Sequence, residues 1–375
     1  MRILFITQVV DRADDNLGAV HGWIVALARE VEAIHVLALR TGVVDLPPNV
    51  FVHSLGKDRG NGKLRQMQIF QSVVGGLVLR GQVDLFFPHM VPRYALLVAP
   101  YRWLFRIPTV MWYAHNSADL KLKLAYRCVD RFVSASADSF PLGAAKCRPV
   151  GMGVDTDLFS PPQQAAIVGS ETKTSFLSLG RISPRKELDT LILAADWVVN
   201  RWKLRDVEFV VAGAPLAPED HDYLARLKAR VRELALENHV RFTGGIPHSE
   251  TAQQVQACDY FVNMHVEGGL GKAVLEAMSC AKPALVSTAT YYDRFPDYGR
   301  LFLFEPREAE SLARRIRSAV ELTPDERQRI GDDLRQWVVE EHDVRVQMSR
   351  IVEVFRAVGA GRTLPLPMGA GRGEG

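Results

Sequence analysis

The sequence predicts an α/β protein with two doubly wound Rossmann-like domains facing a central cleft. Short β-type runs alternate with longer helical patterns along the chain, which is typical of parallel sheets. A segment rich in Pro, Gln and small residues, SPPQQAAIVGSETKT at 160–174, divides these runs into two groups. The strand candidates are 2–7, 33–39, 50–55, 83–88, 109–114 and 131–136 before this segment, and 174–180, 207–213, 239–244, 259–264 and 283–288 after it.

Helical patterns connect the strand candidates and close the chain. They cover Lys186–Asn200, Pro218–Glu237, Gly271–Cys280 and, as one or two helices, Asp325–Ala357. The tail after residue 357 is rich in Gly and Pro and is predicted to be disordered. The predicted organisation is an N-terminal domain at 1–159, a linker at 160–174, a nucleotide-binding domain at 175–343, a closing helix at 344–357 and a tail at 358–375.

Composition and charge are those of an ordinary globular protein. The 375 residues are 47% hydrophobic, and 46 Lys and Arg against 43 Asp and Glu give a net charge of +3. This balance argues against a dedicated nucleic-acid-binding protein. Residues 1–160 hold 18 basic and 13 acidic residues, a difference of +5, so this half favours an anionic partner.

Cysteines and apolar runs indicate the compartment. Cys128, Cys147, Cys258 and Cys280 show no CxxC spacing, which argues against a zinc site or a disulfide framework and favours a reducing compartment. The first apolar run is too short for a signal peptide, and no run reaches the ~20 residues of a spanning helix. We therefore expect a cytoplasmic protein, at most peripheral on the inner membrane face.

A basic and aromatic stretch begins at RYALLVAPYRWLFR, residues 93–106. Between Arg80 and Arg131 there are eight basic residues and three acidic ones. Two interpretations stay open. The stretch could contact anionic lipid or a phosphorylated acceptor, or it could be solvated helix faces over a core stripe.

Two constellations carry candidate chemistry. In LGRISPRKELDTLI (179–192), Arg181 and Lys186 lie at a strand end and a helix start. The two cations could bind a diphosphate, or they could be exposed side chains of a solvated turn. In HVEGGLGKAVLEAMSCAKP (265–283), a glycine-rich loop opens a helix whose free N–H groups suit phosphate or sugar oxygens. Glu276 lies on an apolar stretch of that helix, where a carboxylate needs hydrogen-bond donors such as ribose hydroxyls.

Several chemistries lack support in the sequence. HExxH, GxSxG and clustered metal ligands are missing from it, and GxGxxG does not follow the first strand. The Asp155–Asp157 pair has metal-binding spacing but belongs to the stretch GVDTDLF. We expect no metal and no cofactor.

The constellations resemble a known family. LGRISPRKELDTLI, VRFTG (240–244) and EGGLGKAVLEAMSCAKP, in this order and spacing, are similar to the nucleotide-binding domain of the retaining glycosyltransferases of family 4, glycosyl transferases group 1. VGMGVDTDLFSP (150–161) resembles that family's interdomain stretch, and MWYAHN (111–116) lies where the family carries a cleft histidine. The resemblance implies the two-domain GT-B architecture, with an acceptor-binding N-terminal domain.

The resemblance also implies roles for individual residues. Arg181 and Lys186 would bind the donor diphosphate, Glu276 the ribose hydroxyls, and Glu267 the donor sugar, with His115 facing that sugar. Glu267 and Glu276 are nine positions apart, one more than in the family. Further donor contacts would come from Gly18 near the diphosphate, from Arg241, Phe242 and Thr243 near the base, and from the loop Gly268, Gly269, Leu270, Gly271 and Lys272.

The expected function is transfer of a hexose from a UDP- or GDP-sugar to an acceptor hydroxyl, with retention and without a metal. Polysaccharide or glycolipid synthesis at the cell envelope is the expected setting, and the acceptor stays open. Two alternatives remain. A nucleotide-sugar epimerase could use His115 and Glu267 as an acid–base pair, and a non-catalytic partner could bind nucleotide sugars without turnover.

Overall fold

The computed structural model describes residues 1–14, 17–115, 117–137, 139–162, 173–264 and 271–361, without the side chains of His248, Ser249 and Tyr291. The chain forms two compact units. Unit 1 comprises Met1–Gly153 and the segment that begins at Val344, and unit 2 comprises Val154–Asp343.

The strands form parallel sheets. Those of unit 1 are β1 (Arg2–Val10), β2 (Ala33–Thr41), β3 (Val50–Ser54), β4 (Leu85–Pro88), β5 (Val110–Trp112), β6 (Arg131–Ser134) and β7 (Cys147–Pro149). Those of unit 2 are β8 (Thr174–Leu179), β9 (Val207–Ala212), β10 (Val240–Gly244), β11 (Tyr260–Asn263) and β12 (Ala284–Val286).

Helices connect most of the successive strands and close the chain. In unit 1 they are α1 (Gly18–Ala28), α2 (Lys63–Leu79), α3 (Pro92–Phe105) and α4 (Leu120–Cys128). In unit 2 they are α5 (Leu188–Asp196), α6 (Pro218–Glu233), α7 (His248–Ala257), α8 (Lys272–Ser279), α9 (Pro296–Phe302), α10 (Ala309–Val320) and α11 (Pro324–His342). The last helix, α12 (Val344–Gly359), belongs to unit 1.

Unit 1 is covered on both faces of its sheet. Its described strands run in the order β3-β2-β1-β4, and parallel bridges at Phe86–Thr109 and His89–Trp112 lead on to β5-β6-β7. Because side chains alternate along a strand, Ile3 and Phe5 pack with α1 and α12, whereas Leu4 and Ile6 pack with α2 and α3. Helices on both faces explain why the strands are apolar almost throughout.

Unit 2 has the strand order β10-β9-β8-β11-β12, again parallel throughout its described strands. The order reverses between β8 and β11, since the chain first builds outward through β9 and β10 and then returns to the other side of β8. The adjoining helix starts diverge at such a point, and ligands of doubly wound sheets bind there, at the carboxyl ends of the strands.

The structure agrees with the predicted strand candidates and adds β7, a three-residue strand. The closing pattern proves to be two helices, α11 and α12. The unit boundaries differ from the predicted domains. Residues 154–159 belong to unit 2, and α12 joins unit 1 because Ile351 and Phe355 complete the core under α1. Residues 163–172 of the predicted linker (160–174) and the part of the predicted tail after residue 361 lie outside the described residues.

Among the described helices, none combines the length and the apolar character needed to cross a membrane. The four cysteines are unpaired. Burial raises the pKa of the Cys147, Cys258 and Cys280 thiols to about 12, so these side chains act as core residues rather than as nucleophiles.

Candidate active site

Glycines bring the carboxyl ends of three neighbouring strands of unit 2 close together. Gly180, Gly213 and Gly244 follow or end β8, β9 and β10 and have φ of 136°, 148° and 81°, conformations that favour glycine. A Cβ on Gly213 would lie 1.9 Å from the Gly180 carbonyl oxygen. The backbones at Gly180 and Gly213 are therefore so close that only glycine fits at position 213.

Arg181 and Lys186 stand over this edge. The segment 184–186 is a single 3₁₀ turn that returns the chain over Gly180, so that a Cβ on Gly180 would lie 3.3 Å from Lys186 Nζ. Burial, and then the nearby Arg181 guanidinium, lowers the pKa of Lys186. Within the part of the chain that the structure describes, Lys186 Nζ has no hydrogen bond or ion pair. A partly buried ammonium of this kind is suited to an anionic ligand.

Asp220 is a residue that the sequence analysis did not identify. It is the N3 residue of α6, and its buried carboxylate accepts hydrogen bonds from the Leu216 and Ala217 backbone N–H groups at 3.3 and 3.1 Å. Arg181 Nε lies 3.9 Å from the same carboxylate. Asp220 thus holds Arg181 loosely toward α6 and leaves half of its side chain exposed. The sequence signal was present, since Pro-Glu-Asp at a helix start is typical of N-terminal capping.

The start of α8 carries the other candidates of unit 2. Glu276 is buried, as its apolar surroundings predicted, but its carboxylate is bound by Lys272 Nζ at 3.0 Å, one helical turn earlier. The ion pair supplies the donor that a buried carboxylate needs. The predicted sugar-binding loop with Glu267, Gly268, Gly269 and Leu270 lies outside the described residues, whereas Gly271 directly precedes α8.

The structure places two of these groups on neighbouring strands. The Arg181–Lys186 segment follows β8, and the Lys272–Glu276 pair follows β11, at the point where the strand order reverses. The third group is farther from these two in the sheet. Its residues lie within the edge strand β10, two strands from β8, and are Arg241, Phe242 and Thr243. Thr243 donates a hydrogen bond to the Gly244 carbonyl, and Phe242 lies under Lys228.

In unit 1, His115 follows β5 and is exposed. Its Nδ1 accepts a hydrogen bond from the Ser117 backbone N–H at 3.1 Å, and the Ser117 hydroxyl lies 2.9 Å from the same nitrogen. Tyr113 holds this turn through its hydroxyl, which donates to the Ser117 carbonyl at 2.8 Å. Because a backbone N–H can only donate, a neutral His115 carries its proton on Nε2 and offers that N–H to a ligand.

Gly18 is the first residue of α1 and is buried, and its N–H donates to the Asp14 carbonyl. A cavity of about 550 Å³ lies beside this loop, at the carboxyl ends of β1 and β2. Arg40 pairs with Asp14 at 2.6 Å on its wall. The lining residues are Gln8, Val9, Asp14, Leu17, Leu39, Arg40, Lys57 and Asp58.

Within the described ranges, no group of three His, Cys, Asp or Glu side chains is placed to hold a metal ion. Asp155, which the sequence analysis considered for its spacing with Asp157, accepts hydrogen bonds from the backbone N–H groups of Asp157 and Leu158. Its carboxylate therefore stabilises a turn.

The part of the chain that matches a known protein family lies within unit 2. Residues 162–337 match the family described as Glycosyl transferases group 1. This part of the chain belongs to that family. The match covers the whole of the β8–β12 sheet together with α5–α10, which is the region that carries Arg181, Lys186 and Glu276.

Curated relatives resemble this chain over part of their length. Mannosylfructose-phosphate synthase of Agrobacterium fabrum is 28% identical over 43% of this chain and 37% of its own. Alpha-monoglucosyldiacylglycerol synthase of Streptococcus pneumoniae is 32% identical over 40% of this chain and 32% of its own. A GDP-mannose-dependent phosphatidylinositol monomannoside mannosyltransferase of Mycolicibacterium smegmatis is 30% identical over 45% and 44%. The matched part of the chain thus spans less than half of each relative.

Solved structures resemble the chain along most of its length. HepE of Anabaena, crystallised with UDP, has a TM-score of 0.73 and 20% identity, and the match covers 95% of this chain and 100% of that one. Sucrose-phosphate synthase of Thermosynechococcus elongatus has a TM-score of 0.75 and 17% identity over 96% and 100%. These likenesses confirm the predicted GT-B fold class, and the family match confirms the resemblance seen in the sequence.

Proposed function

We propose that this protein transfers a hexose from a nucleotide diphosphate sugar to an acceptor hydroxyl with retention of configuration. The observation that carries the proposal is the Arg181–Lys186 pair at the carboxyl end of β8. Lys186 is a partly buried cation with no partner among the described residues, and Arg181 is held loosely by Asp220. Two cations so placed match the charge of a diphosphate.

Catalysis in this proposal is electrostatic. Arg181 and Lys186 stabilise the negative charge that develops on the leaving diphosphate, so the two cations supply what a metal would supply elsewhere. The sugar passes through an oxocarbenium-like state, and the acceptor attacks from the face that the diphosphate leaves. The acceptor hydroxyl gives its proton to a leaving phosphate oxygen. The Nε2–H of His115 is available to a hydroxyl of the transferred sugar.

The acceptor is proposed to bind in the 550 Å³ cavity of unit 1. Its wall combines Gln8, Asp58 and Lys57 with the Arg40–Asp14 pair, and such polar groups recognise sugar hydroxyls or a phosphate. The relatives include two glycolipid-forming enzymes, the diacylglycerol glucolipid synthase and the phosphatidylinositol monomannoside mannosyltransferase, which supports an acceptor in glycolipid synthesis. The UDP in the HepE crystals and the GDP-mannose dependence of the Mycolicibacterium smegmatis relative support a nucleotide-sugar donor, a UDP- or GDP-sugar.

The decisive experiment measures nucleotide release from UDP-, GDP- and ADP-sugars in EDTA, with the product anomers followed by NMR. Release from one donor with the retained anomer is the expected result. Arg181→Ala and Lys186→Ala should each lower turnover about a hundredfold or more, by analogy with removing one preorganised donor. Arg205→Ala is the control, because this exposed arginine precedes β9, at the opposite edge of the same sheet.

Other outcomes contradict the proposal. Unchanged turnover in Lys186→Ala would remove the assigned role of the cation pair. A changed sugar still attached to its nucleotide would identify an epimerase. Nucleotide-sugar binding with no turnover of any donor would identify a non-catalytic partner.

A further inference from the structure

Exposed apolar side chains gather at one end of the α2–α3 layer of unit 1. Trp103, Leu104 and Phe105 form the last turn of α3, and Trp103 and Leu104 are 62% and 77% exposed. Leu79, the last residue of α2, is 76% exposed. Consecutive apolar residues that are exposed on one helical turn do not contribute to the core. They indicate a surface that contacts something apolar.

The two helix ends lie side by side. Both helices follow parallel strands, so both end at the amino edge of the sheet. The Tyr101 hydroxyl of α3 donates to Gln71 of α2 at 2.7 Å, and a Cβ on Gly75 would lie 3.3 Å from that hydroxyl. Leu79 lies one turn beyond Gly75 in α2, and Phe105 lies one turn beyond Tyr101 in α3 and stacks on it. Leu79 and Phe105 therefore lie at the same level of the two helices.

The charge around these residues is positive. Arg80, Arg106 and Arg127 are exposed at the ends of α2, α3 and α4. The carboxylates of this part of the layer are already paired, since Asp84 binds Arg2 and Asp130 binds Arg102. We define the amino-edge patch as the apolar residues Leu79, Trp103, Leu104 and Phe105 with the cations Arg80, Arg106 and Arg127.

We propose that the amino-edge patch docks unit 1 onto the surface of an anionic lipid membrane. Tryptophan with leucine and phenylalanine is suited to the boundary between headgroups and acyl chains, and arginines at its rim attract anionic headgroups. A second copy of this chain fits less well, because it would bring the same arginines face to face. This docking does not depend on the proposed sugar transfer.

The experiment is co-sedimentation of the full chain with vesicles of phosphatidylcholine and phosphatidylglycerol in equal parts, and with vesicles of phosphatidylcholine alone. Binding to the anionic vesicles, weakened by salt, is expected. Trp103→Glu and Leu79→Glu should each lower the partition coefficient at least about tenfold. Arg127→Gln should lower the partition coefficient about fivefold, because it removes the attraction of one cation to an anionic surface. All three changed positions are exposed, so the thermal unfolding midpoint checks that each variant is folded.

Leu64→Glu is the matched control. Leu64 lies at the opposite end of α2, is 84% exposed and receives the same substitution as Leu79. It should leave vesicle binding unchanged. Loss of binding in Leu64→Glu but not in Trp103→Glu would place the membrane at the other edge of the sheet and overturn the proposal.

Two further results would also overturn it. One is the lack of binding to either vesicle type. The other is a concentration-dependent dimer that Trp103→Glu abolishes, which would make the patch an interface between copies. Because no nucleotide sugar is used, failure of docking leaves the proposed transfer standing, and failure of transfer leaves docking standing.

Discussion

At the scale of single residues, the site in unit 2 is defined by the environment of charged groups. Glu276 is buried and Lys186 is partly buried, yet among the residues that the structure describes only Glu276 has an ion-pair partner, Lys272 on the same helix. Lys186 is adjacent to a second cation, Arg181, and both burial and that cation lower its pKa. A buried ammonium without a countercharge reduces stability, and an anion that binds it restores the loss.

This difference gives a prediction for Lys186→Met. In the absence of nucleotide the variant should have a higher free energy of unfolding than the parent, because it removes a desolvated charge from unit 2. With saturating UDP the order should reverse, since only the parent gains the phosphate contact. Chemical denaturation with and without UDP measures both values. A variant that is less stable than the parent under both conditions would show that Lys186 has a purely structural role.

At the scale of elements, the ends of β8 and β9 fix the shape of the site. The Gly213 N–H donates to the Gly244 carbonyl at 2.8 Å, while the Gly180 N–H donates to the Ala212 carbonyl at 2.9 Å. These bonds extend the sheet beyond its regular strands and bring the three chain segments into contact. The close approach of these three segments therefore depends on backbone geometry more than on side chains.

Gly213→Ala should consequently destabilise unit 2 by on the order of 3 kcal/mol, because it combines a positive φ with a collision against the Gly180 carbonyl. Urea unfolding followed by circular dichroism measures the change. The control is Gly22→Ala in α1, where the added methyl group meets nothing within 4 Å. That change should stabilise the helix by up to about 1 kcal/mol. Equal effects of the two changes would contradict the assigned role of Gly213.

Sequence reasoning predicted the elements better than the details of the site. The period and apolar character of eleven runs were enough to find their strands, whereas β7 was missed because three residues with a proline show no period. Glu276 was correctly expected to be buried, but its partner Lys272 was assigned to the ligand. The i,i+4 spacing would have allowed the ion pair to be anticipated. The tautomer of His115 depends on where the Ser117 backbone lies, which no local pattern reveals.

At the scale of the whole molecule, buried histidines make unit 1 sensitive to acid. His89 is enclosed between Phe5 and Trp23, with Thr7 Oγ1 3.2 Å from its Nδ1. Burial lowers the pKa of His89 to about 4. Burial also lowers the pKa of His21, His35 and His53. The unfolded chain binds protons to these groups at a higher pH than the folded chain does, so acid favours unfolding.

The stability contributed by neutral His89 should be fully present above about pH 6.5 and lost as the pH falls toward 4. The loss is expected to reach about 3 kcal/mol at the lower limit. His89→Gln, which keeps a partner for Thr7 but does not titrate, should show a shallower decline. Denaturant unfolding at a series of pH values measures both curves. Parallel curves for the two proteins would exclude His89 as a source of the acid sensitivity.

The return of α12 to unit 1 has a consequence for how the chain folds during synthesis. Domains usually fold as units as they leave the ribosome. Unit 2 is one continuous segment, whereas the core of unit 1 includes Ile351 and Phe355, and Phe355 packs against Phe87 with ring centroids 4.9 Å apart. The unit that is translated first is therefore completed last. A ribosome stalled anywhere before residue 344 releases a product with an open apolar face on unit 1, which quality-control proteases and chaperones can recognise.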